Sequence, residues 1–346
     1  MPFESEIFDY NLPKDSINQN PYKNPNNSRL LLADSKEIIK FKKFNTIIEQ
    51  PSLFILNKST VRNVRVQTKK KTKGSIEIFF LEILGENIAK CLIRSSDTKK
   101  LNKVYDLDDF KFKIIKIQND TFHIHTNKKV NEIIDSYGIT PLPPYIEDNS
   151  KKYKYYNNQF SDGGFSVASP TAGLHFTNKQ IDLLKKQGHE FVYINLDVNI
   201  DTFKPVTAKY LHEHDIHEEN YSIEESDFNK ILSAKEMKKN IYCIGTTSLR
   251  AVESAYLTGT LKGSTDYFIF PDTKINIPNY LVTNFHAPKS SLLSIVSCLY
   301  GDNWLELYEY ALNSGMKFLS FGDAVLFKVN EWYRIKNNSS WWQSSS

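Results

Sequence analysis

Apolar and polar positions change their period several times along the chain. Ser52–Leu56 is a short unbroken apolar run, the pattern of a strand buried on both faces. Val61–Val66 alternates instead, and Ile76–Leu81 follows a turn at Gly74. Lys111–Ile117 and Thr121–His125 read as further short strands, with turn residues between them at short intervals. Residues 60–126 are therefore expected to form a small all-β barrel or sandwich. Pro141, Pro143 and Pro144 close that region, and Asn149–Lys154 reads as a polar linker. Strands and helices then mix. Asn178–Gln187 is a helix candidate stopped by Gly188, and His189–Leu196 a strand candidate. Glu224–Lys239 has helical spacing, with Ser226 and Asp227 as candidate caps. Ile241–Ile244 is a buried strand running into Gly245-Thr246-Thr247, with a helix expected from Ser248. Residues 15–28 read as a loop, and from Lys328 onward the pattern has no period.

A chain of 346 residues exceeds one average domain, so two domains are expected. Hydrophobic residues make up 40% and charged residues 24%, an ordinary globular composition. Cys91, Cys243 and Cys298 are far apart, odd in number and lack metal-ligand spacing. They point to a reducing compartment, with neither a disulfide framework nor a zinc site. The first residues carry Glu4, Glu6 and Asp9 and no apolar run, so no signal peptide is expected. Ile78–Leu84 and Leu292–Tyr300 are too short to span a bilayer. The formal charge of +4 is unevenly spread. Between Asn57 and Lys154 there are 20 Lys/Arg against 12 Asp/Glu, and the remainder has 24 against 28. This suggests a module facing a polyanion on a neutral body, with the run Lys69-Lys70-Lys71 as a contact; solvated surface lysines would give the same count.

Five segments carry candidate chemistry. Ser169–Thr177 surrounds His175 with Pro170, Gly173 and several hydroxyls. Gly173 lets backbone approach a ligand, and His175 could exchange protons near neutral pH or serve the turn. His212, His214 and His217 with Glu219 form a second cluster. It could grip a polar substrate or be a surface turn, and it lacks a clear metal-ligand pattern. Gly245–Arg250 follows a strand and opens a helix, a natural anion or nucleoside site, with Glu253 placed to pair with Arg250. Thr283–Ser291 and Ser320–Ala324 present Asn284, His286 and Asp323 in turns.

Together these segments resemble one family, the S-adenosylmethionine:tRNA ribosyltransferase-isomerases of queuosine biosynthesis (the QueA family). The resemblance rests on Phe8–Pro13, Ser28–Leu31, Pro141–Ile146, Pro170–Thr177, Thr202–Val206, His214–Glu219, Gly245–Arg250, Thr265–Pro271, Thr283–Leu293 and Phe321–Ala324. Pro-Thr-Ala-Gly-Leu-His-Phe and Thr-Asn-Phe-His-x-Pro are its most specific parts. It implies an α/β body, residues 1–56 plus 155–327, with a small all-β barrel domain inserted at 57–154 and a tail at 328–346. It implies that the aminomethyl group of 7-aminomethyl-7-deazaguanine, at the tRNA wobble position, takes the ribosyl part of S-adenosylmethionine. Epoxyqueuosine-tRNA forms, and adenine and methionine leave. No bound cofactor is expected, since S-adenosylmethionine is a cosubstrate. A cytoplasmic monomer with no membrane contact is expected. Protons must leave the carbon beside the sulfonium and the attacking amine, and adenine must gain one. His175, His214, His217 and His286 are the candidate acid–base groups, with Glu219 and Asp323 orienting them. Thr171, Gly173, Thr246, Thr247, Arg250 and Asn284 are the candidate substrate contacts.

The chain departs from the family pattern at Asn57–Val61, Phe165–Ser169, Leu196–Phe203 and Pro271–Thr273. Asp197 stands where the family usually has a histidine, so restoring histidine there is expected to raise the rate. Two rival readings are an altered homologue that binds tRNA or a nucleoside without the full reaction, and a different S-adenosylmethionine enzyme on the same fold.

Overall fold

The computed structural model describes residues 3–199, 205–214 and 218–329. The chain begins with β1 (Arg29–Leu32), β2 (Glu37–Lys40) and β3 (Ser52–Asn57). It continues through β4 (Arg65–Lys69), β5 (Ser75–Gly85), β6 (Ile88–Ser95), β7 (Val104–Asp106), β8 (Lys111–Gln118) and β9 (Thr121–Thr126). Then come α1 (Val130–Tyr137), β10 (Gly138–Ile139), α2 (Ser150–Tyr153), α3 (Asn178–Lys186), β11 (Glu190–Leu196) and β12 (Glu219–Ser222). The last part holds α4 (Glu225–Glu236), β13 (Asn240–Ile244), α5 (Thr246–Thr258), β14 (Lys262–Thr265), β15 (Tyr280–Asn284), α6 (Leu292–Tyr300), α7 (Trp304–Asn313) and β16 (Ala324–Lys328).

The larger sheet has nine strands in the order β14-β12-β11-β3-β13-β15-β16-β1-β2. Its centre, β11-β3-β13-β15, is parallel throughout. Every residue of β3 is buried, because both faces of the sheet are covered. Leu53 and Ile55 point to one core, with Ile241, Cys243 and Leu281 beside them. Phe54 and Leu56 point to the other, with Tyr242, Ile244 and Val282. Residues of α4 to α7, such as Ile231, Leu249, Val296 and Leu307, cover the first face. Ile181 and Leu184 of α3, with Phe41 and Phe44 of a 3-10 turn, cover the second.

The smaller sheet has seven strands in the order β10-β4-β5-β6-β9-β8-β7. All its pairings are antiparallel, and it packs a separate core around Ile78, Phe80, Ile114 and Ile124. The sheet curls, so that Lys70 just beyond β4 bridges Leu107 just beyond β7. The chain enters and leaves this sheet at one place, where Thr140 Oγ1 donates to Asn63 Oδ1 at 2.8 Å.

Several boundaries differ from the sequence expectation. β4 starts at Arg65 rather than Val61, because Val61 pairs with Ser166 of the returning chain instead. α4 is preceded by Glu224, which makes no side-chain cap; Asp227 lies in the first turn and pairs with Lys230. α5 begins at Thr246, two residues earlier than expected. Lys328 still belongs to β16, and the expected tail from residue 330 lies outside the described residues. Among the described residues no helix is long and apolar enough to cross a membrane. All three cysteines are free, with Cys91 and Cys243 buried.

Candidate active site

Parallel strands end together, and the crevice outside their carboxyl ends is where open α/β sheets bind ligands. Here β13 ends at Ile244, just before Gly245, and β15 ends in Asn284. Gly245 has φ +92°, a left-handed value open to glycine at little cost. It turns the chain directly into α5, so the first amides of a 13-residue helix face the crevice. Leu249 N is the first to bond back, to the Gly245 carbonyl at 3.2 Å. The amides of Thr246, Thr247 and Ser248 have no partner within the helix, and its dipole is positive at that end. From β15 the chain runs through Phe285, His286 and Ala287, and a strap from Ala168 to Ala172 crosses opposite. Between them lies a cavity of about 300 Å³.

Five residues singled out from sequence line this cavity: Thr171, Thr246, Thr247, Asn284 and His286. None of its described lining residues is Lys, Arg, Asp or Glu. His286 is the one imidazole among them. Its Nε2 lies 3.2 Å from Thr283 Oγ1, and its amide donates to the Tyr308 hydroxyl at 3.3 Å. Burial lowers its pKa to about 3, so the ring is neutral at pH 7. Ser169 Oγ and Thr247 Oγ1 have no partner within the protein, whereas the Asn284 side chain faces the His175 ring. Buried polar groups are normally paired, so the two hydroxyls are open to a ligand. Asn284 is fixed by its other end, Nδ2 donating to the Leu319 carbonyl at 3.0 Å.

The other expected residues sit behind or beside the cavity. Gly173 does not line it; a Cβ there would lie 2.7 Å from the Asn158 carboxamide, so glycine lets the strap seat on Asn158. His175 is buried behind the strap, with Nδ1 2.9 Å from Ser28 Oγ and its ring stacked on Phe41 at 5.0 Å. Burial lowers its pKa to about 4, against a smaller opposing pull from Asp323. Asp323 is fully buried and already saturated. It accepts from the Arg29 amide at 2.7 Å, the Arg29 Nε at 3.1 Å, the Tyr22 hydroxyl at 2.8 Å and the Lys317 amide at 2.8 Å. Arg250 pairs with Glu219 rather than Glu253, and its Nε donates to the Tyr267 carbonyl at 3.1 Å. Glu219 also accepts from the Asn199 amide at 2.9 Å. Glu253 instead holds the amides of Asn276 and Ile277. His214 does not line the cavity, and its ring lies 6.2 Å from that of Phe268. His217 lies outside the described residues. Among the described residues no three His, Cys, Asp or Glu side chains gather as a metal site would need.

Ser169, Tyr145 and Ser320 also line the cavity, and the hydroxyls of Tyr145 and Ser320 lie 2.7 Å apart. They lie inside the sequence motifs, but no spacing rule distinguishes a lining hydroxyl from a turn hydroxyl. The divergent turns form a network of their own. Ser59 Oγ donates to Asp197 Oδ1 at 2.6 Å, and the Phe165 amide donates to the same oxygen at 2.7 Å. Ser166 Oγ lies 2.8 Å from Ser59 Oγ and accepts from the Val198 amide at 2.9 Å.

A family model described as a queuosine biosynthesis protein matches residues 5–327. The S-adenosylmethionine:tRNA ribosyltransferase-isomerase of Sulfurihydrogenibium sp. is 37% identical over 329 residues, covering 92% of this chain and 98% of the relative. The protein of the same name from Vesicomyosocius okutanii is 35% identical, covering 93% and 98%. The crystal structure of S-adenosylmethionine tRNA ribosyltransferase from Thermotoga maritima shares 28% identity and superposes with a TM-score of 0.52, covering 92% of this chain and 99% of that one. Fold, cavity and end-to-end similarity agree, and the chain belongs to the queuosine biosynthesis family of S-adenosylmethionine:tRNA ribosyltransferase-isomerases.

Proposed function

We propose that this enzyme transfers and isomerises the ribosyl moiety of S-adenosylmethionine onto 7-aminomethyl-7-deazaguanine in tRNA. The product is epoxyqueuosine-tRNA, with adenine and methionine released. The observation that carries the reading is the cavity at the ends of β13 and β15, with no charged lining residue described, one neutral imidazole and a helix start. The methionine carboxylate meets the amides of Thr246 and Thr247, the one electropositive feature of that lining. Ser169 Oγ and Thr247 Oγ1, both unpartnered, take polar groups of the nucleoside, with Asn284 beside them on the cavity wall. The amine forms a bond to the ribosyl unit and loses a proton, while adenine takes the glycosidic electron pair and gains a proton. The carbon beside the sulfonium loses a proton and forms the carbon–carbon bond that closes the epoxycyclopentane, as the carbon–sulfur bonding electrons leave with methionine. His286 is the group placed to accept and return a proton. His175 and Asp323 act through what they hold, respectively the strap and Arg29. His214, Glu219 and Arg250 border the site, and Gly173 shapes it.

We read residues 57–154 as an inserted barrel domain on a body of residues 1–56 and 155–327. The bridge between Lys70 and Leu107 supports closure of the smaller sheet. A cytoplasmic monomer suits a tRNA substrate and three free cysteines. The test is incubation with S-adenosylmethionine and tRNA carrying the aminomethyl base, followed by nucleoside mass spectrometry. Epoxyqueuosine with stoichiometric adenine is expected. Binding without adenine release defeats the reading in favour of an altered homologue. Adenine release without tRNA defeats it in favour of a different reaction.

A further inference from the structure

The run Lys69–Lys71 is a poor RNA contact. Lys70 is buried, with Nζ 2.8 Å from Asp97 and 3.3 Å from Ser95 Oγ. Lys71 lies 3.6 Å from Asp106. Much of the remaining positive charge of the smaller sheet is likewise neutralised: Arg65 and Arg94 by Glu77, Lys103 by Asp97, Lys111 by Asp106 and Lys129 by Glu86. One outward face differs. Strand register sets Lys90, His123 and Lys116 side by side across β6, β9 and β8. The next outward row sets His125 beside Lys113. Within the described residues none of these five side chains has a hydrogen bond or ion pair, and Glu82 at the end of the first row is the only carboxylate in either.

From this we propose that the outer face of β6, β8 and β9, centred on Lys90, Lys113 and Lys116, binds the sugar–phosphate backbone of tRNA. The inference rests on the proposed function, which supplies the tRNA. Lys90 and Lys116 flank β9 from the strands on its two sides, and Glu82 beside Lys90 is one carboxylate against three lysines. Neighbouring strands are ~4.8 Å apart and same-face residues ~7 Å apart along a strand, so the ammonium groups form a grid rather than a point. A chain of phosphates is the anion that matches a grid, since each neutralised phosphate also releases counterions. His123 lies between Lys90 and Lys116; burial first, then those two charges, lower its pKa. The rings of His123 and His125 offer flat surfaces on which an unpaired base can stack. Val104 ends the second row 60% exposed, as an apolar neighbour for sugar.

The test is tRNA affinity over a salt series for the triple variant Lys90→Ala, Lys113→Ala, Lys116→Ala. Loss of three phosphate contacts should weaken binding about tenfold or more near 0.1 M salt and flatten the log–log salt slope by roughly two to three. The KM for S-adenosylmethionine and the melting temperature should stay as in the parent, and the matching triple Lys→Arg variant should keep its affinity. Unchanged affinity and slope in a folded alanine variant that still releases adenine with tRNA overturns this face alone, and points to an acidic protein as its partner. An equal loss on replacing the exposed Lys42, Lys43 and Lys179 of the body overturns it in favour of diffuse charge. A parent protein with no salt-dependent tRNA affinity overturns both this inference and the function it rests on.

Discussion

At the scale of single residues, two buried histidines differ in whether they reach the cavity. His286 lines the cavity, so His286→Gln should lower kcat by about 10²–10⁴-fold while the urea midpoint stays near that of the parent. His175 does not line it. His175→Ala removes the contact with Ser28 and the stack on Phe41, and should cost about 2–4 kcal/mol of stability. A lowered denaturation midpoint reports this, and a fully stable but inactive variant would restore a direct role. Asp197 is a structural acceptor, held by Ser59 and the Phe165 amide. Gly164 closes over it so tightly that a Cβ there would lie 2.7 Å from Oδ1. The sequence expectation that Asp197→His raises the rate is therefore replaced by its opposite. That variant should lower stability by about 1–3 kcal/mol and should not speed turnover, whereas Asp197→His together with Ser59→Ala should recover part of the loss in thermal melts. The sequence shows that Asp197, Ser59 and Ser166 all depart from the family; it does not show that they touch.

At the scale of elements, the turn at Gly245 is the part most exposed to substitution. A Cβ there has room, with Ala172 3.4 Å away and Thr247 Oγ1 3.5 Å away, but φ +92° is strained for any side chain. Gly245→Ala should cost about 1–3 kcal/mol, and a rise in the KM for S-adenosylmethionine should accompany it as the start of α5 shifts. β3, β11 and β13 were legible because their apolar runs are flanked by turn residues, and α3 because Gly188 stops it, whereas its cap at Thr177 is seen only in the structure. Thr177 accepts from the Gln180 amide at 3.2 Å. β12 and β14, by contrast, are four residues each with few apolar positions. They exist as strands because β12 pairs with β11 and β14 with β12, a partnership that local period cannot reveal. The same holds for the candidate site. Motif order located the strap, the α5 turn and the His286 segment, but which of their side chains face the cavity depends on packing across the sheet.

At the scale of the whole molecule, the buried histidines set a pH dependence. His175 and His286 have folded pKa values of about 4 and about 3, below the ordinary 6.5. Above pH 6.5 both rings are neutral whether folded or not, and their contribution to stability is complete. As pH falls below that, the unfolded chain binds protons that the folded one refuses. Stability should drop by up to about 1.4 kcal/mol per pH unit for each histidine, until the folded rings themselves protonate. Urea unfolding at pH 7 and pH 5.5 brackets the window before most carboxylates titrate. The variants His175→Ala and His286→Gln should each show a shallower slope.

The meeting of Asn63 and Thr140 has a consequence for how the chain tolerates editing. Everything in the seven-stranded sheet lies between those two residues, so it is a closed circuit returning to its starting point. None of its strands pairs with the nine-stranded sheet. Loop-closure entropy grows only with the logarithm of length, so an excursion of this size taxes the body little more than a short loop would. The body's strand order would be preserved if the circuit were cut out and Asn63 joined to Thr140 through a few small residues. Such a miniature should retain the far-ultraviolet signature of its helices and bind S-adenosylmethionine, while losing its grip on tRNA. Nucleotide chemistry and RNA capture would then be physically separable cargoes on one backbone, exchangeable as a cassette.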